Sequence, residues 1–190
     1  MLNQILRFLL DTVLGFFVFV LLARFYLQLL RAPFRNPLGQ FVTALTNWLV
    51  LPARRFIPGM FGLDLASFLL AWLIEALLLF LLYVLRAGSI GGASGLVLGI
   101  FLSLASLELA RFSMYLLIGV ILIQAVISWV NPYAPLAPLF NVLTGPFLGP
   151  FRRLIPPIGN VDLSPLFALV AAQLLLIPIE YLARSVALLL

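Results

Sequence analysis

The chain has 190 residues, 65% of them hydrophobic and only 9% charged, with a formal net charge of +5. A soluble domain carries about 25% charged residues, so an ordinary water-soluble globule is excluded, and a basic membrane chain points to anionic headgroups and orientation rather than to nucleic acid. It contains no cysteine, histidine or lysine, which removes disulfides, thiolate nucleophiles, the commonest general base and metal ligand, and Schiff-base chemistry.

The first apolar run, 8–30, reads FLLDTVLGFFVFVLLARFYLQLL and is long enough to cross a hydrocarbon core of about 30 Å. The preceding MLNQILRFLL lacks a short apolar region followed by a small-residue cleavage site, so a retained first helix is predicted rather than a signal peptide. Arg7 and Asp11, four apart, read as a helix-end ion pair. Arg24, Gln28 and Arg31 follow an i, i+4, i+7 spacing that sets them along one helix face.

Next comes PARRFIP at 52–58. Pro52 suits the first turn of a short helix and Pro58 limits it. Between them lie the two arginines Arg54 and Arg55 and the apolar Ala53, Phe56 and Ile57. One turn with this content is expected at the headgroup level, apolar groups dipping inward and guanidinium groups meeting phosphate. Asp64 stands just ahead of the second apolar run, 65–85, where it suits the helix N-terminus or pairs with the arginines of its own loop. Glu75 lies inside that run.

Residues 88–111 are glycine-rich, and Gly91, Gly95, Gly99 and Ser103 recur every four residues, a ridge that lets helix backbones approach closely. Either this stretch is a flexible linker or it begins a helix from about 94 to 130, which would be about 55 Å long and would have to bend, tilt or lie along the interface. The embedded GASG resembles the serine motif of intramembrane rhomboid proteases, a chemistry that requires the histidine this chain lacks. The third and fourth spans are 112–130 and 164–183. The third carries Gln124, Ser128 and Asn131 at the spacing of Arg24, Gln28 and Arg31, while Gln173 lies in the fourth, and Glu180 and Arg184 read as an ion pair at its end.

Sliding the chain by 98 positions aligns 45–65 with 143–163 without a gap, matching Thr46/Thr144, Pro52/Pro150, Arg54/Arg152, Arg55/Arg153, Pro58/Pro156 and Asp64/Asp162. At an offset of 100, Arg24 meets Gln124; at 98, Glu75 meets Gln173. The expected fold is therefore an all-α membrane protein of two tandem helical hairpins, 1–87 and 112–190, joined by a connector at 88–111. It has about four transmembrane helices and short interfacial proline–arginine segments. An even number of crossings per unit puts both arginine loops on one side, and the positive-inside rule makes that side cytoplasmic. Because a charge near the bilayer centre costs roughly 2.5–3.5 kcal/mol on insertion scales, Arg24 is expected to pair with Glu75 across the first hairpin and Gln124 with Gln173 across the second.

The doubled T…P…RR.IP…DL pattern, with Ser128–Trp129 and Asn131–Pro132 upstream of its second copy, resembles the YggT family of bacterial integral membrane proteins, called YlmG in other lineages. The resemblance implies an inner-membrane protein linked to osmotic and salt-stress tolerance, with photosynthetic relatives connected to division, nucleoid distribution and cytochrome assembly. It implies no catalytic mechanism, cofactor or metal. Two readings stand. One is a non-enzymatic scaffold or accessory factor binding anionic lipid, membrane proteins or itself through Arg54, Arg55, Asp64, Arg152, Arg153, Asp162 and the glycine ridge. The other is a small ion transporter or channel subunit using Arg24, Gln28, Glu75, Gln124, Ser128 and Gln173.

Overall fold

The structure, a computed structural model, describes residues 1–57, 59, 63–87, 95–154 and 162–189. Its helices are α1 (Leu2–Leu29), α2 (Pro37–Ala53), α3 (Leu65–Ala87), α4 (Gly95–Val130), α5 (Ala137–Leu154) and α6 (Ser164–Ala187). Of these, α1, α3, α4 and α6 are long and apolar enough to cross a membrane. In each, only 17–22% of the most apolar stretch is buried inside the protein. The remaining apolar faces, with Phe8, Phe16, Leu77, Leu122 and Leu174 turned outward, need hydrocarbon as their solvent. The protein is an all-α, multi-pass membrane protein.

Packing repeats as the sequence does. Helix α1 lies along α3, α4 lies along α6, and α3 against α4 joins the halves. In the first half Leu21, Val50 and Ala71 pack into one core; in the second Ile121, Leu148 and Ala168 do so. Leu21/Ile121 and Val50/Leu148 occupy equivalent repeat positions, and all are fully buried. Val42 of α2 and Leu139 and Leu143 of α5 share a further cluster with Leu27 and Ala32. The two connecting helices, α2 and α5, therefore sit together at one end of the bundle and form what we call the elbows.

The elbow helices are longer than the sequence suggests, and their prolines fall at the opposite end. The Asn36 side chain caps α2 by accepting from the Gly39 N–H at 2.9 Å, and Pro37 takes the first helical position. Gly39 is needed here, because a Cβ would fall 2.5 Å from the Phe34 carbonyl oxygen. Pro52, expected in a first turn, lies in the last turn of α2, and Pro150 is likewise near the C-terminal end of α5. After Pro52 the chain leaves the helix through tighter turns, with the N–H groups of Arg55 and Phe56 donating to Pro52 and Ala53. Pro58, Ile155 and Pro156 lie outside the described residues.

Helix α1 ends in a left-handed residue. Arg31 has φ 53°, and the Ala32 and Arg31 N–H groups bond the carbonyls of Leu27 (2.8 Å) and Gln28 (3.0 Å). This double closure of a helix C-terminus usually employs glycine.

The glycine-rich stretch continues into α4, as the helical reading of 94–130 expects. Of the small-residue ridge, the two positions whose surroundings are described, Gly99 and Ser103, meet no other helix among the described residues. Gly91 lies outside the described residues, Gly95 is the first residue of α4, a Cβ on Gly99 would meet no atom within 4 Å, and Ser103 is exposed and bonds only the Ile100 carbonyl. The buried face is the opposite one, carrying Phe101, Leu104 and Ala105. Phe101 meets the rings of Phe80 and Tyr83 on α3 edge-on, at 5.8 and 5.5 Å.

Candidate functional site: two arginine–aspartate elbows

The first elbow closes around a buried carboxylate. Asp64 precedes α3 and caps it: Ser67 donates its N–H (3.3 Å) and hydroxyl (2.7 Å) to the carboxylate. Two guanidinium groups then converge on Asp64. Arg24 Nε donates from α1 at 3.1 Å, and Arg54 donates from the end of α2 through Nη2 (2.7 Å) and Nε (3.3 Å). Arg24 spends Nη1 on Thr46 Oγ1 (2.7 Å) and Asn47 Oδ1 (2.9 Å), both on α2, and Arg54 also reaches Gln28 Oε1 at 3.3 Å. Thr46 can accept because its own hydroxyl proton goes to the Val42 carbonyl at 2.6 Å. One acid thus ties α1, α2 and α3 together with a net positive charge. The Asp64 side chain is 1% exposed and that of Arg24 5%, while Arg54 stays 39% exposed. Burial alone would raise the Asp64 carboxyl, but the hydrogen bonds from Arg54 and Ser67 outweigh it and hold the group below its ordinary value.

The second elbow repeats the outer half of this design. Arg152 Nε donates to Asp162 Oδ2 at 2.8 Å, the Ser164 N–H donates to Oδ1 at 2.9 Å, and Trp129 Nε1 reaches the Asp162 carbonyl at 3.3 Å. Asp162 is also held below its ordinary value: burial raises it, and Ser164 and Arg152 overcome that. The inner arginine is missing. Gln124, in the place of Arg24, donates instead to Asn141 on α5 at 2.7 Å. Its neutral amide has no need of a carboxylate.

Both expected intramembrane pairs are therefore corrected. Arg24 pairs with Asp64, not Glu75; Gln124 pairs with Asn141, not Gln173. Gln173 is exposed toward the bilayer, and Ser128 is half-buried and joins neither network. Glu75 instead feels the charges of Glu108 and Arg111 on α4 and Asp11 on α1. Glu108 and Arg111 form an ion pair at 2.6 Å that the sequence expectations above do not include, although its signal is present in their i, i+3 spacing inside an apolar stretch. Glu180 and Arg184 approach to 3.7 Å at an exposed helix end. Arg7 and Asp11 do not pair; both line a cavity at the end of the bundle away from the elbows.

Arg31, Arg35, Arg55 and Arg153 stand apart from the two aspartates. All four are exposed, and their guanidinium groups have no hydrogen-bond or ion-pair partner among the described residues. Arg55 is followed by Phe56, 86% exposed, and Arg153 by Leu154, 78% exposed. Each elbow thus ends in one arginine held by an aspartate, one free arginine and one outward apolar side chain. Among the described residues no group of acidic side chains has the grouping of a metal site.

Comparison with known proteins agrees with the duplicated plan. The CCB3/YggT family profile matches residues 3–85 and again 103–182. The uncharacterized protein PA0392 of Pseudomonas aeruginosa is 42% identical over 177 residues, covering 92% of this chain and 87% of that one. An uncharacterized protein of Vibrio alginolyticus is 36% identical over 170 residues, 88% and 89% of the two chains. The uncharacterized protein YggT of Escherichia coli K12 is 34% identical over 163 residues, 85% and 81%. No solved structure matches the chain significantly.

Proposed function

The chain belongs to the CCB3/YggT family, and on that premise we propose that it is a non-enzymatic protein of the bacterial inner membrane, a scaffold or accessory factor whose elbow face grips anionic lipid headgroups. The resemblance that links this family to osmotic and salt stress suits such a role, since a surface held by charge responds to ionic strength.

One observation carries the reading: each elbow separates its arginines into two jobs. Arg54 and Arg152 are consumed by Asp64 and Asp162, which fixes the elbow. Arg55 and Arg153 are left exposed beside Phe56 and Leu154, an apolar group with a cation next to it. That pairing suits the boundary between acyl chains and phosphate. Arg31 and Arg35 add charge at the same end, and the excess of arginine there favours a cytoplasmic elbow face. A transport role resting on one polar stripe finds less support, because Arg24, Glu75 and Gln173 lie in three different surroundings.

The test is native mass spectrometry of the purified protein released from nanodiscs containing phosphatidylglycerol and phosphatidylethanolamine. The wild type is expected to retain phosphatidylglycerol preferentially, and the double variant Arg55→Gln/Arg153→Gln to lose most of that preference while keeping its helical signal. Equal retention by both proteins would refute the headgroup reading.

A further inference from the structure

The half of the molecule away from the elbows holds a second polar centre, built from residues that the lipid-binding reading does not use. Glu75 lies close to the middle of α3 and is 3% exposed, and its Oε2 has no hydrogen-bond partner. A carboxylate oxygen buried without a donor carries a desolvation cost that only a counter-charge or a proton removes. The charged groups facing it come from two helices: Asp11 on α1, and Glu108 and Arg111 on α4. Helix α6 contributes Glu180, which acts on Glu108 and accepts from the Tyr115 hydroxyl at 3.5 Å. Helix α2 meets α3 near the elbow, where its Arg54 is already bound to Asp64. Arg111 reaches Glu108 through Nη2 at 2.6 Å, and among the described residues no ion pair joins a cation to Glu75.

A separate feature leads toward this group. A cavity of about 930 Å³ at the end opposite the elbows is lined by Arg7, Asp11, Leu79, Arg86, Leu104 and Leu188, among others. Its wall residues run toward Glu75 in register. Leu79 lies one turn beyond Glu75 on the same face of α3, Leu104 lies one turn before Glu108 on the same face of α4, and Asp11 stands on the wall itself. The cavity therefore approaches the buried carboxylate from one side of the membrane only, the side that carries the N-terminal end of α1.

We propose that Glu75 is a proton-binding site in the interior of the membrane, loaded from the non-elbow face through the water of this cavity. The occupant is a proton rather than a metal ion for two reasons. Arg111 stands within the cluster and Arg7 and Arg86 on the cavity wall, all repelling a metal cation, whereas a proton reaches the wall through water. Neutralising a buried carboxyl also needs no set of coordinating oxygens, and the described acidic residues do not form one. In the loading step a hydronium ion of the cavity water gives up a proton, which forms an O–H bond on Glu75 Oε2 and leaves a neutral water behind, so charge moves inward without any redox partner.

The experiment is pH-difference infrared spectroscopy of the full-length protein reconstituted in lipid, reading the carbonyl stretch of a protonated carboxylic acid. A band that titrates with bulk pH is expected in the wild type, absent in Glu75→Gln and retained in Glu180→Gln. No titrating acid band in the wild type overturns the proposal without any variant having to fold, and a band that survives Glu75→Gln, or disappears only in Glu108→Gln, overturns the assignment. The route is tested by transfer into heavy water: Leu79→Trp, which fills the cavity, is expected to slow the isotope shift of the band at least tenfold while leaving the band present. An unchanged rate would overturn entry through the cavity.

Discussion

Arg24 and Asp64, forty residues apart, meet where α1 nears its end and α3 has not yet begun. Their contact is the inner half of a clasp that the second repeat lacks. Removing one member of a buried, hydrogen-bonded ion pair leaves the other charge stranded, at about 3–5 kcal/mol. Asp64→Asn is therefore expected to destabilise the protein by about 3 kcal/mol, because it strands the nearly buried Arg24. Asp162→Asn touches a pair whose members are 23% and 40% exposed, and the expected loss is about 1 kcal/mol or less. Denaturant unfolding in detergent micelles measures both; equal losses would contradict the asymmetry.

The two aspartates also set an acid limit. Both are held below their ordinary value of 3.8 in the folded protein. A carboxyl depressed by folding contributes stability above its unfolded value and loses it as pH falls through the folded one. The midpoint of thermal unfolding in detergent is accordingly expected to be insensitive to these groups near neutrality and to fall below about pH 4. The decline should be shallower in Asp64→Asn, and an identical acid slope in that variant would show that Asp64 is not its source.

Gln124→Arg rebuilds the missing inner arginine beside Thr144, the counterpart of Thr46. We expect this variant to fold, because Asp162 still offers a lone pair to a second guanidinium, whereas Gln124→Arg with Asp162→Asn leaves the new charge without an acid. Monodisperse yield after solubilisation distinguishes them. A double variant as well behaved as the single one would mean that the arginine finds another outlet.

At the start of α2, Gly39→Ala would push a methyl group against the Phe34 backbone, whose carbonyl oxygen lies 2.5 Å from the Cβ position. Overpacking against atoms that cannot rotate away costs about 1–3 kcal/mol, and Asn36→Ala removes the cap at about 1 kcal/mol. Both are expected to loosen the elbow, and hydrogen exchange of the α2 amides would show it first.

Arg31→Gly separates stability from lipid contact. The left-handed conformation at φ 53° costs a side-chain-bearing residue about 1 kcal/mol that glycine avoids. The variant is expected to be more stable and yet to retain less phosphatidylglycerol, since it gives up one of the free guanidinium groups of the elbow face. A parallel change in both quantities would contradict this division.

The spans, the duplication and the shared elbow end were all legible in the sequence, because they follow from runs of apolar residues and a fixed offset. The partners of the polar residues were not, and the reason is depth. Arg24 lies five residues before the end of α1 and Glu75 ten residues into α3, so at 1.5 Å per residue they sit about 7.5 and 15 Å from the elbow level. Spacing along one helix establishes a face but says nothing of height relative to the next helix. Asp64, just outside its helix, was the acid at the right height, and Thr46 and Asn47 became partners only once α2 proved long enough to pass beside α1. The prolines misled in a similar way. Pro52 and Pro150 suited a helix start, yet the stronger start signal was Asn36–Pro37, fifteen residues earlier than Pro52, where a capping side chain is followed by a ring with no N–H to satisfy.

The length of α4 has its own consequence. Its 36 residues extend about 54 Å, and even at the steepest usual inclination of about 40° they rise about 41 Å, against a hydrocarbon layer of about 30 Å. The excess height of about 11 Å corresponds at that tilt to about 15 Å of rod, between two and a half and three turns, which must stand among headgroups or beyond them. A bilayer that swells or thins with its lipid composition would submerge or uncover those turns, which makes membrane thickness a mechanical input to a helix that packs on α3 as well as on α5 and α6.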